Sequence, residues 1–427
     1  MRAIDISVQD INEIFAQFME KAPCGKLGIA VSGGSDSLAL MYLTAAWAKK
    51  ASRSLVVLSI DHGLRKESKS ECKLVEERAK ALNIPHRTVE WSDKPRGNLQ
   101  KVAREARHKI IKDWAISQKL SGVLLGHTLD DNVETFILRL IRGSGVDGLA
   151  GISPDRFING VRIFRPLLNF SRNTLQQYLE TKGYTWVDDP SNRDRRFDRV
   201  KVRQILSELQ GLGLSKKRLL TTANHMRRAQ DFLTRETFRM SERCVRQEVW
   251  GGLSISLEPF LEISKEIQLR ILSAGLMWVS GKVYKPRYDS MDRLLASILD
   301  RKINSSRSLM GVLVREERHK ILLIRDFSAL SDVRLHTNSE IQWDGRWQIT
   351  LNLHNPSGYN IGPIAKKGLM SIGKYGNYKI PKFALMSSVG LFKDDNLVCA
   401  PIISFGVGMN AEIIGGDQAF KNYLHVY

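Results

Sequence analysis

Residues 27–43 constrain this chain more than any other stretch. An apolar run, 27–31, leads into Ser32-Gly33-Gly34-Ser35-Asp36-Ser37, and a second apolar, helix-compatible run, 38–43, follows. A strand, a glycine turn and a helix start, in that order, make an anion cradle. Glycine at 33 and 34 admits backbone angles that other residues resist and leaves room for a phosphate to approach. The amides of the turn and of the first helical turn then point at the anion, assisted by the positive helix end. Ser32, Ser35 and Ser37 add hydroxyl donors, and Asp36 is placed to hold a metal on the phosphates. Taken alone, a serine-rich cap on an ordinary α/β turn reads the same way.

Two absences narrow the chemistry. No lysine follows the turn, as a P-loop for γ-phosphoryl transfer requires, and the G-x-G-x-x-G dinucleotide fingerprint is missing. The Ser-Gly-Gly-x-Asp-Ser form resembles the pyrophosphate loop of ATP pyrophosphatases. Those enzymes hold the β,γ-pyrophosphate as a leaving group while an acceptor oxygen takes the AMP.

The first half of the chain alternates strand-like segments (27–31, 55–60, 88–91, 123–125, 161–164) with helix-like ones (68–82, 99–118, 129–142). Such alternation predicts a doubly wound, mostly parallel sheet covered on both faces. Ligands in that architecture sit beyond the carboxyl ends of the strands. Asp61-His62-Gly63-Leu64-Arg65 and Gly126-His127-Thr128 both fall at such ends. After residue 210 the pattern changes to a long basic helix over 215–241 with Lys216, Lys217, Arg218, Arg227 and Arg228. Helices over 263–273 and 288–299 and a hairpin of 308–314 with 320–324 follow. From about 335 the signals become short strands, such as 347–353 and 397–403. The expected organisation is an α/β catalytic domain over 1–212, a small mainly helical middle domain over 213–332 and a small β-rich domain over 333–427.

The 427 residues carry 65 Lys and Arg against 45 Asp and Glu, a net charge of +20. A polyanionic partner is the natural inference, since Lys and Arg contacts to phosphates supply sequence-independent affinity. A generically basic surface is the alternative. Cys24, Cys72, Cys244 and Cys399 form no C-x-x-C pair, which argues against a zinc ribbon, a disulfide framework or a thioredoxin-like site. The N-terminus has no signal-like apolar core, and the longest apolar run, 38–48, is too short to span a bilayer. A cytoplasmic location is expected.

A second constellation runs Gly126-His127-Thr128-Leu129-Asp130-Asp131-Asn132-Val133-Glu134. Thr128 is a plausible N-cap, and acids in the first turn suit the helix dipole. Val133, Phe136, Ile137, Leu140 and Ile141 form a stripe expected to pack inward. Asp130, Asp131 and Glu134 lie three and four residues apart and converge on one side. Near a triphosphate such carboxylates suit Mg²⁺, an ammonium substrate or a general base. A third constellation is the basic run from Arg193 to Arg203, with Arg199 and Arg203 suited to phosphate charge or RNA.

Together these stretches resemble the tRNA(Ile)-lysidine synthases of the ATP-pyrophosphatase superfamily, whose catalytic domain has an adenine nucleotide alpha hydrolase-like fold. The matching residues are Ser32 to Ser37; Asp61 to Arg65; Asn98-Leu99-Gln100 with Ala103-Arg104; Gly126 to Gly145; and Asp189 to Asn192 with Arg199 and Arg203. The block from His127 to Gly145, combined with Asp61-His62-Gly63-Leu64-Arg65, is the most specific. Asn132 stands where the family usually has glutamine, and His108 where an aromatic residue follows Arg107.

The resemblance implies ATP-dependent ligation of L-lysine to C2 of the wobble cytidine of an isoleucine tRNA with a CAU anticodon. It implies a cofactor site for ATP at Ser32, Gly33, Gly34, Ser35, Asp36, Ser37, Asp61, His62, Gly126 and His127, with Mg²⁺ on Asp36 and Asp131. Catalysis falls to Asp36, Asp130, Asp131, Glu134 and Arg199. Arg104, Arg107, Arg203, Arg227 and Arg228 are the expected tRNA contacts, and a homodimer is compatible with the chain. The rival readings are a thiolase adenylating a base carbonyl and an RNA-binding protein with a degenerate nucleotide site.

Overall fold

The structure, a computed structural model, describes residues 8, 10–63, 67–91, 99–158, 160–187, 198–211, 213–282, 284–300, 306–334, 340–355, 357–373 and 379–426, with backbone alone at 99–104 and 425–426. The chain divides into two compact units, Met1–Gln230 and Asp231–Tyr427.

In the first unit, helix α1 (Ile11–Met19) precedes strand β1 (Leu27–Ala30) and helix α2 (Ser35–Lys50). Then come β2 (Leu55–Asp61), α3 (Ser68–Ala81), β3 (His86–Glu90), α4 (Leu99–Ser117), β4 (Gly122–Leu125) and α5 (Leu129–Ile141). The turn-length α6 (Val146–Leu149), the hairpin β5 (Asp155–Ile158) and β6 (Val161–Phe164), and helices α7 (Arg172–Thr181) and α8 (Asp198–Gly211) follow, and the unit ends at Gln230 within α9 (Lys216–Cys244). Among the described residues these strands form one sheet in the order β3-β2-β1-β4-β6-β5, parallel except for the β5 edge. The inner strands β1, β2 and β4 are apolar on both faces, as buried parallel strands must be. Leu27, Ile29 and Val57 point into a core with α1, α2 and α7, whereas Val56, Leu58, Val123 and Leu125 point into one with Ile111 and Trp114 of α4. That two-residue alternation is what the strand pleat dictates. The strand order reverses between β1 and β4, so the crevice of this sheet opens beyond their carboxyl ends.

The apolar stripe of α5 is only partly buried. Val133, Phe136 and Ile137 pack against Val202 and Leu206 of α8 and Leu219 and Ala223 of α9. Leu140 and Ile141, expected inside, are 51% and 67% exposed. They occupy the last turn, outside the patch that the α8 and α9 side chains cover.

The second unit carries β7 (Val245–Gln247), β8 (Leu253–Ser256), α10 (Leu257–Leu261), α11 (Lys265–Ser280), α12 (Tyr288–Leu299), β9 (Arg307–Leu309), β10 (Val312–Glu317) and β11 (Lys320–Arg325). Its first sheet, β7-β8-β11-β10-β9, is antiparallel. The chain continues through β12 (Val333–Arg334), β13 (Ile341–Trp343), β14 (Trp347–Leu351), β15 (Tyr359–Pro363), α13 (Ala365–Ile372), α14 (Lys382–Ser387), β16 (Val389–Lys393), β17 (Asn396–Ala400), β18 (Phe405–Gly406), β19 (Met409–Ile413) and α15 (Ala419–Val426). These strands build two antiparallel sheets, β12-β15-β16-β17-β18 and β13-β14-β19, around Trp343, Trp347, Ile349 and Leu391. Phe420 and Leu424 of α15 return to the core made by β8, β11 and α11. Asp344 accepts from Arg325 Nε at 3.1 Å and from Arg346 Nη2 at 2.6 Å, tying β11 to the turn before β14. Among the described residues no helix is long and apolar enough to cross a membrane.

Candidate active site

The cradle forms as its glycines require. Gly33 takes φ +88°, in the left-handed region, and Gly34 is extended and caps α2. The Ser37 hydroxyl accepts from the Ser32 N–H at 3.1 Å and donates to the Gly34 carbonyl at 3.0 Å. The loop is thereby folded back on the first turn of α2. Val187 N–H donates to the Gly33 carbonyl at 3.1 Å, and Tyr184 stacks on Tyr42 of α2 with ring centroids 3.7 Å apart. On the other side, β4 exits at Gly126. A Cβ there would lie 3.1 Å from Ser37 Cα and 3.2 Å from the Asp36 carbonyl oxygen. A side chain there would press the β4 exit off the α2 N-terminus by a few tenths of an ångström, and the close contact that glycine allows joins the two motifs.

Helix α5 starts in a capping box. The Thr128 N–H donates to Asp131 Oδ2 at 2.9 Å, and the Asp131 N–H donates to Thr128 Oγ1. Asp131 Oδ2 is thus committed to the helix, while Oδ1 faces Arg199 Nη1 at 3.5 Å and Arg172 Nη2 at 3.9 Å. Asp130 is held at both oxygens, by Lys216 Nζ at 2.6 Å and by the Arg172 N–H at 2.7 Å. Asp36 Oδ2 accepts from Arg172 Nε at 3.0 Å. Glu134 is 2% exposed, and its Oε1 accepts from Arg203 Nε at 2.5 Å. Glu134 Oε2 is buried with no hydrogen-bond partner. Four carboxylates from α2 and α5 therefore meet four cations from α7, α8 and α9.

Burial sets the direction of the shift at Asp36 and Glu134. It raises the Asp36 carboxyl above the ordinary aspartate range, against the pull of Arg172 and with help from Asp131. Burial likewise raises Glu134, against Arg203. Asp130 goes the other way: burial opposes ionisation, but the hydrogen bonds from Lys216 and from the Arg172 amide outweigh it.

At the end of β2, Asp61 is turned to its own loop, where its Oδ1 accepts from the Gly63 N–H at 2.8 Å and from the Ser68 hydroxyl. Its carboxylate, held low by Ser68, shapes the turn. The His62 ring stands edge-on to Trp91 and lies 3.4 Å from Arg107 Nη2. Burial, followed by Arg107, lowers its pKa to about 4, so the ring is neutral near pH 7. The Arg104 side chain, Leu64, Arg65, Asn98 and the stretch 188–197 lie outside the described residues.

Arg172 and Lys216 are the site residues that sequence reading misses. Lys216 is read there only as helix charge, and Arg172 stands in none of the motifs singled out. Arg227, expected on the RNA side, turns inward instead: its Nη2 donates to the carbonyls of Ala150 and, at 2.7 Å, Ile152. Arg228 is exposed. Asn132 is buried, and its Oδ1 accepts from the Ile152 N–H at 2.7 Å. The position that departs from the usual glutamine is therefore a packing contact. Cys72 is buried near Asp61 and Glu71, and burial, followed by these charges, pushes its thiol up to about 11.

Among the described residues no three His, Cys, Asp or Glu side chains are grouped for a metal. Asp36 and Asp131 nevertheless converge on one cation, the Arg172 guanidinium. Hard carboxylate oxygens in such a pair suit Mg²⁺ when phosphates supply further ligands.

A profile described as PP-loop domain matches residues 7–209. A tRNA(Ile)-lysidine synthase of Ruegeria pomeroyi is 36% identical over 430 residues, covering 98% of each chain. One of Wolbachia pipientis wMel is 37% identical over 346 residues, covering 80% of each. Among solved structures, the U34-tRNA thiolase NcsA of Methanococcus maripaludis aligns with 51% of this chain and 78% of its own, at TM-score 0.45 and 17% identity.

Proposed function

Because the chain belongs to the tRNA(Ile)-lysidine synthase family, we propose that it joins L-lysine to C2 of the wobble cytidine of an isoleucine tRNA with a CAU anticodon, converting ATP to AMP and pyrophosphate. It is a PP-loop, ATP-using enzyme of tRNA modification. The observation that carries the finer reading is the seating of the β4 exit on the first turn of α2. It supports a single site in which a phosphate cradle and a group of acids act on one substrate.

The reaction has two steps. The C2 carbonyl oxygen of the cytosine attacks the α-phosphate of ATP, and the bond to pyrophosphate breaks. The lysine ε-amine then attacks C2, the C2–O bond breaks, and AMP leaves. The target base must leave its stack to reach the acids, as for other enzymes that act on a base.

In the first step, the Gly33 and Gly34 turn and the α2 amides would hold the departing pyrophosphate. Asp36 and Asp131 Oδ1 would hold Mg²⁺, which when bound neutralises phosphate charge. His62, neutral near pH 7, offers a ring face and a nitrogen beside Trp91 for the adenosine. Arg199, whose Nη1 already faces Asp131 Oδ1, stands near enough to steady phosphate charge.

The second step needs a neutral amine. A free lysine ε-amine has a pKa of about 10.4 and arrives protonated. Glu134 is our choice of acceptor. Its Oε2 lacks a donor, an ammonium N–H supplies one, and its raised pKa makes it a stronger base than an ordinary glutamate. Asp130, held at both oxygens, serves to pin α5, α7 and α9 together.

The test is to incubate the full chain with ATP, Mg²⁺, labelled lysine and unmodified isoleucine tRNA. Lysine-dependent AMP release with label on the RNA is the expected result. Pyrophosphate release without lysine incorporation would leave the adenylating half standing and overturn the rest.

A further inference from the structure

Arg172 makes three contacts with three different carboxylates. Its N–H holds Asp130 at 2.7 Å, its Nε holds Asp36 at 3.0 Å, and its Nη2 lies 3.9 Å from Asp131. It is fixed for this at the start of α7, where Ser171 caps the helix by accepting from the Thr174 N–H at 3.1 Å. The side chain is 30% exposed, so water and ions reach it from one side. The two carboxylates its guanidinium contacts are those on which Mg²⁺ depends in the proposed reaction. A guanidinium and a divalent cation cannot occupy the space between them together.

We propose that Arg172 is a resident counter-cation: a positioning residue that holds Asp36 and Asp131 on one charge until a divalent cation displaces its guanidinium. Without it, Asp131 would keep Arg199 Nη1 at 3.5 Å but Asp36 would lose its hydrogen bond to Arg172, so the two like charges would repel more strongly and the loop carrying Asp36 would lose its link to α7. With it, the acids stay converged in the nucleotide-free enzyme. Metal binding is correspondingly weakened, because the metal must first break the Arg172 contacts. The displaced guanidinium stays tethered at the edge of the cradle through its own backbone contact to Asp130.

This inference rests on the functional reading only in taking Asp36 and Asp131 as the metal ligands, and its test uses neither tRNA nor lysine. Mn²⁺ replaces Mg²⁺ as a probe, and the signal of free Mn²⁺ is followed by electron paramagnetic resonance on the full chain without nucleotide. Arg172→Gln should bind Mn²⁺ on the order of tenfold more tightly than the unmodified chain, as expected for removing one cation near the ligands. Arg172→Lys should stay near the unmodified value. Arg162→Gln, which removes an equal charge from the surface pair with Asp155, should change nothing. Unchanged or weaker Mn²⁺ binding by a folded Arg172→Gln chain overturns the proposal. A second readout needs no variant: in the arginine-labelled chain, the Arg172 Nε–H resonance should lose its protection from solvent exchange on saturation with Mg²⁺. Protection that persists at saturation would equally overturn it. Failure of lysine ligation with Mn²⁺ competition intact would remove the substrate assignment and leave Arg172 in this role.

Discussion

Burial is the first cause at Glu134, Asp36 and Asp130 alike, but at Glu134 and Asp36 it prevails and raises the carboxyl, whereas at Asp130 the hydrogen bonds from Lys216 and the Arg172 amide outweigh it. A carboxylate raised in this way takes a proton more readily, which is the property the proposed lysine step demands. Glu134→Gln keeps the shape and removes the acceptor. We expect lysine-dependent AMP release to fall by about a hundredfold or more, the usual range for a lost general base. Pyrophosphate release without lysine should stay within a few-fold, and equal losses in both steps would assign Glu134 to adenylation instead. His62 makes a pH prediction. Its folded pKa of about 4 lies below the ordinary histidine value of 6.5, so the unfolded chain binds the extra proton between these values. Its contribution to stability is full above pH 6.5 and is lost as pH falls toward 4. In His62→Asn, urea midpoints measured at several pH values should show a shallower decline over that window. At this scale, acids spaced three and four apart on one helix were legible from spacing. Their cationic partners were not, because Arg172 and Lys216 come from α7 and α9, far along the chain. Asp61 has a local use that the motif alone does not show: an aspartate two residues before a glycine also closes its own turn.

Helix α5 shows which element properties sequence pattern carries. Its start was readable from Thr128 and the acids that follow, since capping is local. Its buried face was readable only for two turns, because burial of the last one depends on what α8 and α9 cover. The turn after α5 is held by two residues of α5 and one of α9. Asn132 Oδ1 accepts from the Ile152 N–H, Arg139 Nη1 donates to the Gly148 and Gly151 carbonyls at 2.8 and 3.0 Å, and Arg227 donates to Ala150 and Ile152. Asn132→Ala leaves the Ile152 N–H without its acceptor and opens a gap in a buried position. The expected cost is about 1–3 kcal/mol in denaturant unfolding. Asn132→Gln, the residue usual in the family, adds a methylene to this packed position and should cost less than alanine if its carbonyl still meets Ile152. A larger loss for glutamine than for alanine would mean that volume, not the hydrogen bond, governs the site.

Across the whole molecule, the alternation of the first unit was legible because strands buried on both faces read as continuous apolar runs. The second unit was less so: β12 and β18 are two residues each, too short for any period, and Phe420 and Leu424 join a core laid down far earlier in the chain by β8, α11 and β11. The surplus of +20 is likewise not a map of the RNA surface. Arg172, Arg199, Arg203 and Lys216 face carboxylates, and Arg227 is bonded to backbone carbonyls. Arg228, one residue on, is exposed. This adjacency gives a sharp comparison for tRNA binding measured across a salt series. Each phosphate contact releases counterions and adds about 0.7–0.9 to the slope of log affinity against log salt. Arg228→Gln should weaken tRNA binding and lower that slope by about one contact, with little change in thermal midpoint. Arg227→Gln should lower the thermal midpoint through loss of its hold on Ala150 and Ile152, with the slope unchanged. A slope that falls for Arg227→Gln and stays fixed for Arg228→Gln would put the RNA against the face that Arg227 now braces, and would require the turn at 148–152 to open when RNA binds.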